Sequence, residues 1–300
     1  MKLRIAVGYD DREQSRDALE LARQFANVFE VEFSVAVVLK YDRLLPLDLN
    51  PYEPALAERF DEILGSAAEQ LGDAQFEGHR LTGPSPAREL TKLAERLEVD
   101  LLIVGSAHRG PLGRVYPGSV GASLVSGAHC PVAVAPRGFA SRASRPIGTI
   151  GVGFDARPEA EAALLFAGAL GAGLGAQLRL IAAVSYRPSL ADELANPLDV
   201  RAVERERLTD AIATLVPSPN VEVAAAEVVD GYPATILIER SEQLDLLVLG
   251  SRGYGPLRSV MLGGVGMQVI RKAHCPVIVV PRGAASDGGH QAGAAPRTTG

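Results

Sequence analysis

The chain has 300 residues, of which 47% are hydrophobic and 22% charged, and its formal net charge is −6 at pH 7. This composition is typical of a globular protein, and no apolar run is long enough to cross a bilayer. Arginine and lysine are dispersed rather than gathered in a basic stripe, so nucleic acid is not an expected partner. Two cysteines exclude a disulfide framework, and residues 1–5 lack the apolar stretch of a secretory signal. We therefore expect no membrane segment and a cytoplasmic location.

The sequence contains two copies of one unit, because Gly105 recurs 145 residues later as Gly250 and many other positions obey the same offset. The segment Val7-Gly8-Tyr9-Asp10 returns as Val152-Gly153-Phe154-Asp155. The remaining pairs are Gly118 with Gly263, His129 with His274, Cys130 with Cys275, Pro131 with Pro276, Pro136 with Pro281 and Arg137 with Arg282. We predict two domains with two cores at 1–137 and 148–283, a linker at 138–147 and a disordered tail at 284–300.

Within each copy, short β-branched runs alternate with amphipathic stretches of helical length, which is the pattern of a parallel sheet covered by helices. We predict five strands per copy. In chain order they are residues 3–7, 31–39, 74–80, 101–104 and 132–135, then 150–152, 177–184, 221–228, 246–249 and 277–280. The fourth strand of each copy has no polar alternation and is expected at the centre of its sheet. A helix should follow each first strand, and the second-copy helix should end near Leu170, where several glycines begin.

Glycine-rich loops follow the fourth strand of each copy. The first reads Gly105-Ser106-Ala107-His108-Arg109-Gly110-Pro111-Leu112 and leads to Gly118-Ser119, and the second runs from Gly250 to Leu257 and leads to Gly263-Gly264. Loops of this composition allow backbone amides to approach a ligand closely. Because Gly118-Ser119 then opens a helix, its free N–H groups favour an anion such as phosphate.

Asp10 and Asp155 end the first strands, which should lie beside the fourth strands at the crevice where open α/β sheets bind ligands. A carboxylate there suits an amino group or a sugar hydroxyl and repels phosphate. A base at one end and phosphates at the other describe a nucleotide. Two alternatives stay open: the glycines can be purely structural turns, and either aspartate can be the N-cap of the following helix.

These residues resemble a known family. The pattern Gly-x2-Gly-x9-Gly-Ser/Thr after a buried fourth strand, with Asp after the first strand and Cys-Pro-Val before the fifth, is similar to the nucleotide-binding branch of the universal stress protein A family over nearly the whole chain. The resemblance implies an α/β fold of two tandem open sandwiches, each a five-stranded parallel sheet with helices on both faces, like adenine nucleotide alpha hydrolases. It also implies stress adaptation, an internal pseudo-dimer through the fifth strands, and ATP or another adenine nucleotide with Mg²⁺. A homodimer of the whole chain stays open.

The resemblance also implies which residues bind the nucleotide in each copy. In the first copy they are Gly8, Tyr9, Asp10, Val38, Gly105, Ser106, His108, Arg109, Gly110, Gly118, Ser119 and Val120. In the second copy they are Gly153, Phe154, Asp155, Val184, Gly250, Ser251, Gly253, Tyr254, Gly255, Gly263, Gly264 and Val265. His108 replaces an expected glycine, and Gly264 replaces an expected Ser or Thr hydroxyl, a loss of about 1 kcal/mol if that donor contacts phosphate. We rank the first site as the stronger.

Three functional classes follow. The first is a regulatory nucleotide-binding module, the second a hydrolase or nucleotidyl transferase, and the third a ligand-free interaction scaffold. The loops contain no Gly-x4-Gly-Lys-Ser/Thr motif and no lysine, so dedicated phosphoryl transfer is disfavoured, although slow ATP hydrolysis stays open. We assign no catalytic residue. The His129-Cys130 and His274-Cys275 pairs are not expected to bind metal, because adjacent strand residues point to opposite faces, and the cysteines are expected to be buried thiols.

Overall fold

A single ten-stranded sheet runs through both copies of the repeat in the computed structural model, which describes residues 2–40, 53–107, 112–142, 146–185, 197–215, 223–253, 260–261 and 264–281. The first copy supplies β1 (Lys2–Tyr9), β2 (Glu30–Leu39), β3 (Glu77–Thr82), β4 (Leu101–Gly105) and β5 (Val132–Ala135). The second supplies β6 (Thr149–Phe154), β7 (Gln177–Val184), β8 (Val223–Asp230), β9 (Leu246–Gly250) and, after the short antiparallel pair β10 (Arg252–Gly253) and β11 (Val260–Met261), β12 (Val277–Val280). The order is β3-β2-β1-β4-β5-β12-β9-β6-β7-β8.

The two copies join through their fifth strands, as expected. All strand pairs within a copy's five-stranded sheet are parallel, whereas β5 and β12 pair antiparallel, with Ala133 opposite Ile278. The two predicted sheets therefore form one continuous sheet, and a pseudo-twofold axis relates its two halves. Residues 101–104 and 246–249 are buried on both faces, which confirms that β4 and β9 are interior strands.

Helices connect the strands and cover both faces of the sheet. The first copy has α1 (Glu13–Ala26), α2 (Glu53–Leu71), α3 (Pro86–Arg96) and α4 (Ser119–Gly127). The second has α5 (Pro158–Leu174), α6 (Pro197–Thr214), α7 (Pro233–Arg240) and α8 (Gly264–Ile270). Among the described residues, no helix is both long and apolar enough to cross a membrane.

Helix α5 is longer than the sequence indicates. It continues through the glycines beyond Leu170 and ends at Leu174, where Gly175 takes the left-handed conformation with φ of 65°. Gly173 lies directly against the ring of Phe29 in the first copy, so that a side chain at position 173 would overlap the ring. The glycine that we interpreted as a stop signal instead permits contact between the two copies.

Among the described residues, the buried side chains form clusters that draw on both copies, where the sequence analysis expected one core per copy. One cluster of buried side chains joins Ile5 and Val7 to Ile150 and Val152, and a second joins Val104 and its neighbours to residues of β9 and β12. The side chains of a strand alternate between faces, so each cluster occupies one face of the common sheet and crosses the boundary between the copies. Folding of either copy alone would expose part of both clusters.

The start of the linker is fixed to α1 by a buried carboxylate. Asp17 is 1% exposed, and its two carboxylate oxygens accept hydrogen bonds from the backbone N–H groups of Gly138 and Ala140, each at 2.8 Å. Burial raises the pKa of Asp17, while these two hydrogen bonds act in the opposite direction. The sequence analysis missed this residue because an aspartate inside an amphipathic helix normally lies on the solvent face.

Candidate functional site

The switch points of the sheet lie between β1 and β4 and between β6 and β9. In the first copy the chain leaves β1 towards β2 on one side and leaves β4 towards β5 on the other. Because β1 and β4 are parallel neighbours, their carboxyl ends open into one crevice, which is where open α/β sheets bind ligands. The same arrangement recurs between β6 and β9.

The predicted aspartates stand at these carboxyl ends with exposed side chains. Asp10 is 53% exposed; its Oδ1 accepts the N–H of Arg12 at 3.3 Å, and its Oδ2 lies 3.6 Å from the Arg12 Nε. Asp155 is 51% exposed; its Oδ1 accepts the N–H of Arg157 at 3.3 Å, and its Oδ2 lies 3.7 Å from the Arg157 Nε. The helices begin after Arg12 and Arg157, so neither aspartate is the N-cap residue. Both carboxylates can accept further hydrogen bonds from a ligand.

A left-handed residue follows each aspartate and turns the chain into the helix. Asp11 has φ of 62° and Ala156 has φ of 55°, a conformation that is uncommon for residues other than glycine. The Asp11 carboxylate accepts hydrogen bonds from Ser66 and from Arg16, and the Tyr9 hydroxyl lies 3.3 Å from it. The hydrogen bond from Ser66, and then that from Arg16, lower the pKa of Asp11. This cluster attaches α2 to the end of β1, and the sequence analysis did not find it.

The aromatic residues of the predicted site are parts of the core. Tyr9 is 2% exposed and its hydroxyl also lies 3.1 Å from Ser66 Oγ, while Phe154 is 4% exposed. Their rings are therefore buried rather than exposed in the crevice, and their backbone leads directly into the exposed aspartates.

Several predicted glycines are closely packed, and two of them face backbone. A Cβ on Gly105 would overlap the carbonyl oxygen of Gln14 in the first turn of α1, and a Cβ on Gly250 would overlap that of Glu159 in α5. A Cβ on Gly8 would lie 3.0 Å from Leu90 Cδ1. One on Gly153 would lie 2.7 Å from Leu249 Cδ2. Gly105 and Gly250 therefore let α1 and α5 approach the sheet closely, which is the structural alternative left open by the sequence, whereas the leucine side chains beside Gly8 and Gly153 can move.

Ser106 holds the first glycine loop together. Its Oγ donates a hydrogen bond to the Ala135 carbonyl at 2.7 Å and accepts one from the Tyr116 N–H at 3.1 Å. The N–H of Ala107 donates to the Tyr116 carbonyl at 2.6 Å, so the loop closes like a hairpin. In the second copy β10 and β11 pair at the equivalent place, but the fully buried Ser251 Oγ has no hydrogen-bond partner among the described residues.

Gly118 differs from the packing glycines because a side chain would fit there. It is the N-cap residue of α4 and, as a glycine, supplies no capping side chain; among the described residues, a Cβ there would lie 3.5 Å from Ala107 Cβ, an ordinary contact. The first hydrogen bond of the helix joins the Ala122 N–H to the Gly118 carbonyl at 2.9 Å. The N–H groups of residues 119–121 precede that bond and are the donors that a helix start leaves unsatisfied. Ser119 is exposed beside them, and Val120 is half-buried.

Val104 connects this helix to the end of β1. A Cβ on Gly8 would lie 3.2 Å from Val104 Cγ1, and one on Gly121 would lie 3.9 Å from Val104 Cγ2. The first turn of α4 and the carboxyl end of β1 therefore lie over the same side chain. This contact places the helix start and Asp10 at one edge of the sheet.

The two predicted valines occupy different environments. Tyr9 pairs with Val37, so half-buried Val38 comes level with Asp10, and it packs against the cluster that contains Val104. Val184 instead packs against Leu208 on the other face of the sheet. The register of β6 and β7 makes Ala183 the structural counterpart of Val38.

The helix of the second site starts at the equivalent position and ends earlier. Helix α8 has 7 residues against 9 in α4, and a Cβ on the exposed Gly264 would meet no described atom within 4 Å. Val265 is half-buried and packs beneath it, and the backbone of Gly253 lies in β10. Six predicted site residues lie outside the described residues: His108, Arg109, Gly110, Tyr254, Gly255 and Gly263.

The repeated His-Cys pairs have structural surroundings. Burial raises the pKa of the Cys130 thiol to about 12 and raises that of Cys275 as well. His129 Nδ1 lies 2.6 Å from Glu95 Oε1, and His274 Nε2 lies 3.3 Å from Glu242 Oε1. Within the described residues, no group of three or more His, Cys, Asp or Glu side chains could hold a metal ion.

Comparison with known proteins identifies the family. A family model described as the universal stress protein family matches residues 1–136 and 146–281. The chain belongs to the universal stress protein family.

Two relatives are universal stress proteins of Mycobacterium tuberculosis. Universal stress protein Rv2005c is 35% identical over 186 residues, which span 61% of this chain and 62% of that relative. Universal stress protein Rv2319c is 25% identical over 294 residues, which span 92% of this chain and 99% of that relative.

The fold is also similar to a solved structure. A universal stress protein from Archaeoglobus fulgidus has a TM-score of 0.67 at 24% identity, and the match covers 93% of this chain and 98% of that chain. This likeness supports the tandem α/β architecture.

Proposed function

We propose that the first copy of this universal stress protein binds an adenine nucleotide, ATP with Mg²⁺, and that occupancy acts as a regulatory switch in stress adaptation. The observation that carries the proposal is that α4 starts at a glycine N-cap, which lies at the switch point of the sheet together with the exposed carboxylate of Asp10. Family membership supports it, because the glycine pattern resembles that of the nucleotide-binding branch, with one departure in each copy.

The start of α4 suits the phosphates. Three backbone N–H groups and the positive end of the helix dipole favour an anion, and Gly118 leaves the approach free of a side chain. The fold does not demand glycine at position 118, in contrast to Gly105. A ligand that needs close backbone approach explains why a glycine occupies a position where a larger residue fits.

Asp10 and Val38 suit the adenosine. The carboxylate can accept hydrogen bonds from ribose hydroxyls or from the adenine amino group, and the half-buried Val38 beside it offers an apolar surface to the base. Arg12 must release part of its contact with Asp10, which is a small cost because both side chains are exposed and the separation is 3.6 Å. Mg²⁺ would supply charge neutralisation on the phosphates.

The second copy is proposed as the weaker site. It lacks a hydroxyl at Gly264 and has Ala183 where the first copy has Val38. Each difference removes contacts without blocking entry. A cytoplasmic location and a homodimer stay predictions.

The test compares nucleotide affinity between two serine variants of α4. Ser119 and Ser123 are both exposed, one turn apart. Ser119→Glu places a carboxylate in the first turn, where it favours the helix but repels phosphate, whereas Ser123→Glu places it beyond the range of the helix start. We expect calorimetric titration with ATP and MgCl₂ to show at least about tenfold weaker binding for Ser119→Glu, or about 1.4 kcal/mol, and no change for Ser123→Glu.

A second pair tests the adenosine end. Asp10→Ala should weaken binding, and Asp73→Ala, an exposed aspartate after α2, should not. Gly118→Val should block the phosphate end. Affinities that are equal in all variants would remove the first site from the proposal, and no binding of any adenine nucleotide would leave the ligand-free scaffold.

A further inference from the structure

The glycine loop of the first copy contacts the second copy. We call residues 112–117, which lead from this loop into α4, the return limb. Val115 on the return limb is fully buried, and its backbone N–H donates a hydrogen bond of 2.8 Å to the carbonyl oxygen of Ala273 in the second copy. Ala273 follows α8, and its own N–H donates to the Val269 carbonyl at 2.8 Å. The limb is thus bonded to the carboxyl end of the helix that opens the second site.

The second glycine loop likewise contacts the first copy. Strand β11 occupies the position in the second loop that residues 115–116 occupy in the first, and it packs against α4. Each loop therefore returns across the helix of the other copy, in addition to the pairing of β5 with β12.

The return limb is also tied to the proposed nucleotide site. The Tyr116 N–H donates a hydrogen bond to Ser106 Oγ, and the Tyr116 carbonyl accepts one from the Ala107 N–H. Gly118 lies two residues further along the chain. On the other side, the Gly113 N–H donates to the Arg137 carbonyl at 2.8 Å. With both ends fixed, a change at the start of α4 reaches Val115 through two residues.

We infer that nucleotide bound at the first copy is sensed in the second copy through the contact between Val115 and Ala273; this inference rests on the proposed function. A ligand at the start of α4 reduces the transient opening of the return limb, so that Val115 stays hydrogen-bonded to Ala273 for more of the time. The end of α8 then samples open states less often, so ordering in one copy lowers the entropic cost of ordering the other. The two sites are thereby coupled with positive sign.

Hydrogen exchange of backbone amides measures this transmission directly. The full chain carries Gly264→Glu, an exposed position with free space, so that phosphate is repelled from the second loop and ATP with MgCl₂ occupies the first copy alone. We expect ATP to slow exchange in α4 and also, by about threefold or more, at residues 271–273 of the second copy.

A matched pair of valines shows whether Val115 carries the effect. Val115→Ala and Val99→Ala remove the same atoms from the same buried cluster, but Val99 precedes β4 and does not lie on the return limb. Val115→Ala keeps the backbone N–H that donates to Ala273 but removes the buried methyl groups that hold the return limb in the cluster. In the Gly264→Glu chain, Val115→Ala should therefore keep the protection of α4 and lose that of residues 271–273, whereas Val99→Ala should keep both.

The outcomes separate the two claims. Protection of α4 without protection of residues 271–273 in the Gly264→Glu chain would overturn the coupling and leave the proposed function intact. Retention of both effects in Val115→Ala, or loss of both, would overturn the role of Val115. Absence of any protection of α4 would overturn the proposed function, and the inference with it.

Discussion

The carbonyl oxygen of Gln14 lies so close to the α-carbon of Gly105 that no side chain fits between them. The packing of α1 on β4 thus requires a glycine at the start of the loop that follows β4. The same contact recurs between Gly250 and Glu159. The glycine that leaves its backbone accessible to a ligand is Gly118 instead.

Gly105→Ala should lower the free energy of unfolding by about 2–3 kcal/mol, because α1 must shift away from β4 to admit the methyl group. Gly118→Ser is the control, since a Cβ fits at that position and serine is a favourable N-cap residue. Urea denaturation measures both. Equal stability of Gly105→Ala and the native chain would show that the contact with Gln14 relaxes freely.

Ser106 and Ser251 occupy equivalent positions with different hydrogen bonds, so they form a natural pair. Ser106→Ala leaves the Tyr116 N–H without its acceptor and should cost about 1–2 kcal/mol of unfolding free energy. Ser251→Ala removes a buried hydroxyl that has no partner among the described residues, and should change stability by less than about 0.5 kcal/mol. Similar losses in the two variants, measured by urea denaturation, would contradict the difference between the loops.

Asp11 should stabilise the protein in a pH-dependent way. Hydrogen bonds from Ser66 and Arg16 lower its pKa in the folded state, so its contribution is complete above the unfolded pKa and disappears as the pH falls through the folded pKa. Asp11→Asn tolerates the left-handed backbone and removes the charge. The native chain should exceed this variant by about 1–2 kcal/mol at neutral pH, and the gap should shrink below about pH 4.

Asp17 should change stability with pH in the opposite direction. Burial raises its pKa in the folded state, so the folded chain gains stability relative to Asp17→Asn as the pH falls through that raised pKa. Unfolding curves of the native chain and both variants at several pH values distinguish the two behaviours. Parallel pH profiles for Asp11→Asn and Asp17→Asn would contradict the assignments.

The two cysteines should be unreactive in the folded protein. Burial raises the pKa of the Cys130 thiol to about 12 and raises that of Cys275 as well, so almost no thiolate is present at pH 8. A disulfide-exchange reagent should label neither thiol in native buffer and both after unfolding. Rapid labelling of the native protein would show that the starts of β5 and β12 open readily.

Much of the fold could be predicted from the sequence. The offset between Gly105 and Gly250, the alternation of strands with helices and the unbroken apolar run 101–104 established two α/β units with interior fourth strands. The merged cores could not be predicted, because periodicity shows which face of an element is apolar but not which copy covers it. The contact between Phe29 and Gly173 illustrates this, since the glycine signal was the same as that of a helix end.

The sequence pattern predicted that Asp10 and Gly105 come at the carboxyl ends of two neighbouring strands, and β1 and β4 are parallel neighbours in the sheet. That these residues bind a nucleotide stays a prediction. The pattern could not separate glycines that serve packing from a glycine that leaves space, because both depend on what the α-carbon faces in three dimensions. Asp11 and Asp17 were missed for the same reason, as their partners are distant in sequence or outside their own helix.

The most direct measurement of the central claim is calorimetric titration of nucleotide-stripped protein with ATP and MgCl₂, with AMP and GTP as comparisons. The account predicts saturable binding of ATP with at least one equivalent per chain and weaker binding of GTP, whose base lacks the adenine amino group. Absence of ATP binding, together with no nucleotide extracted from the purified protein, would contradict the account.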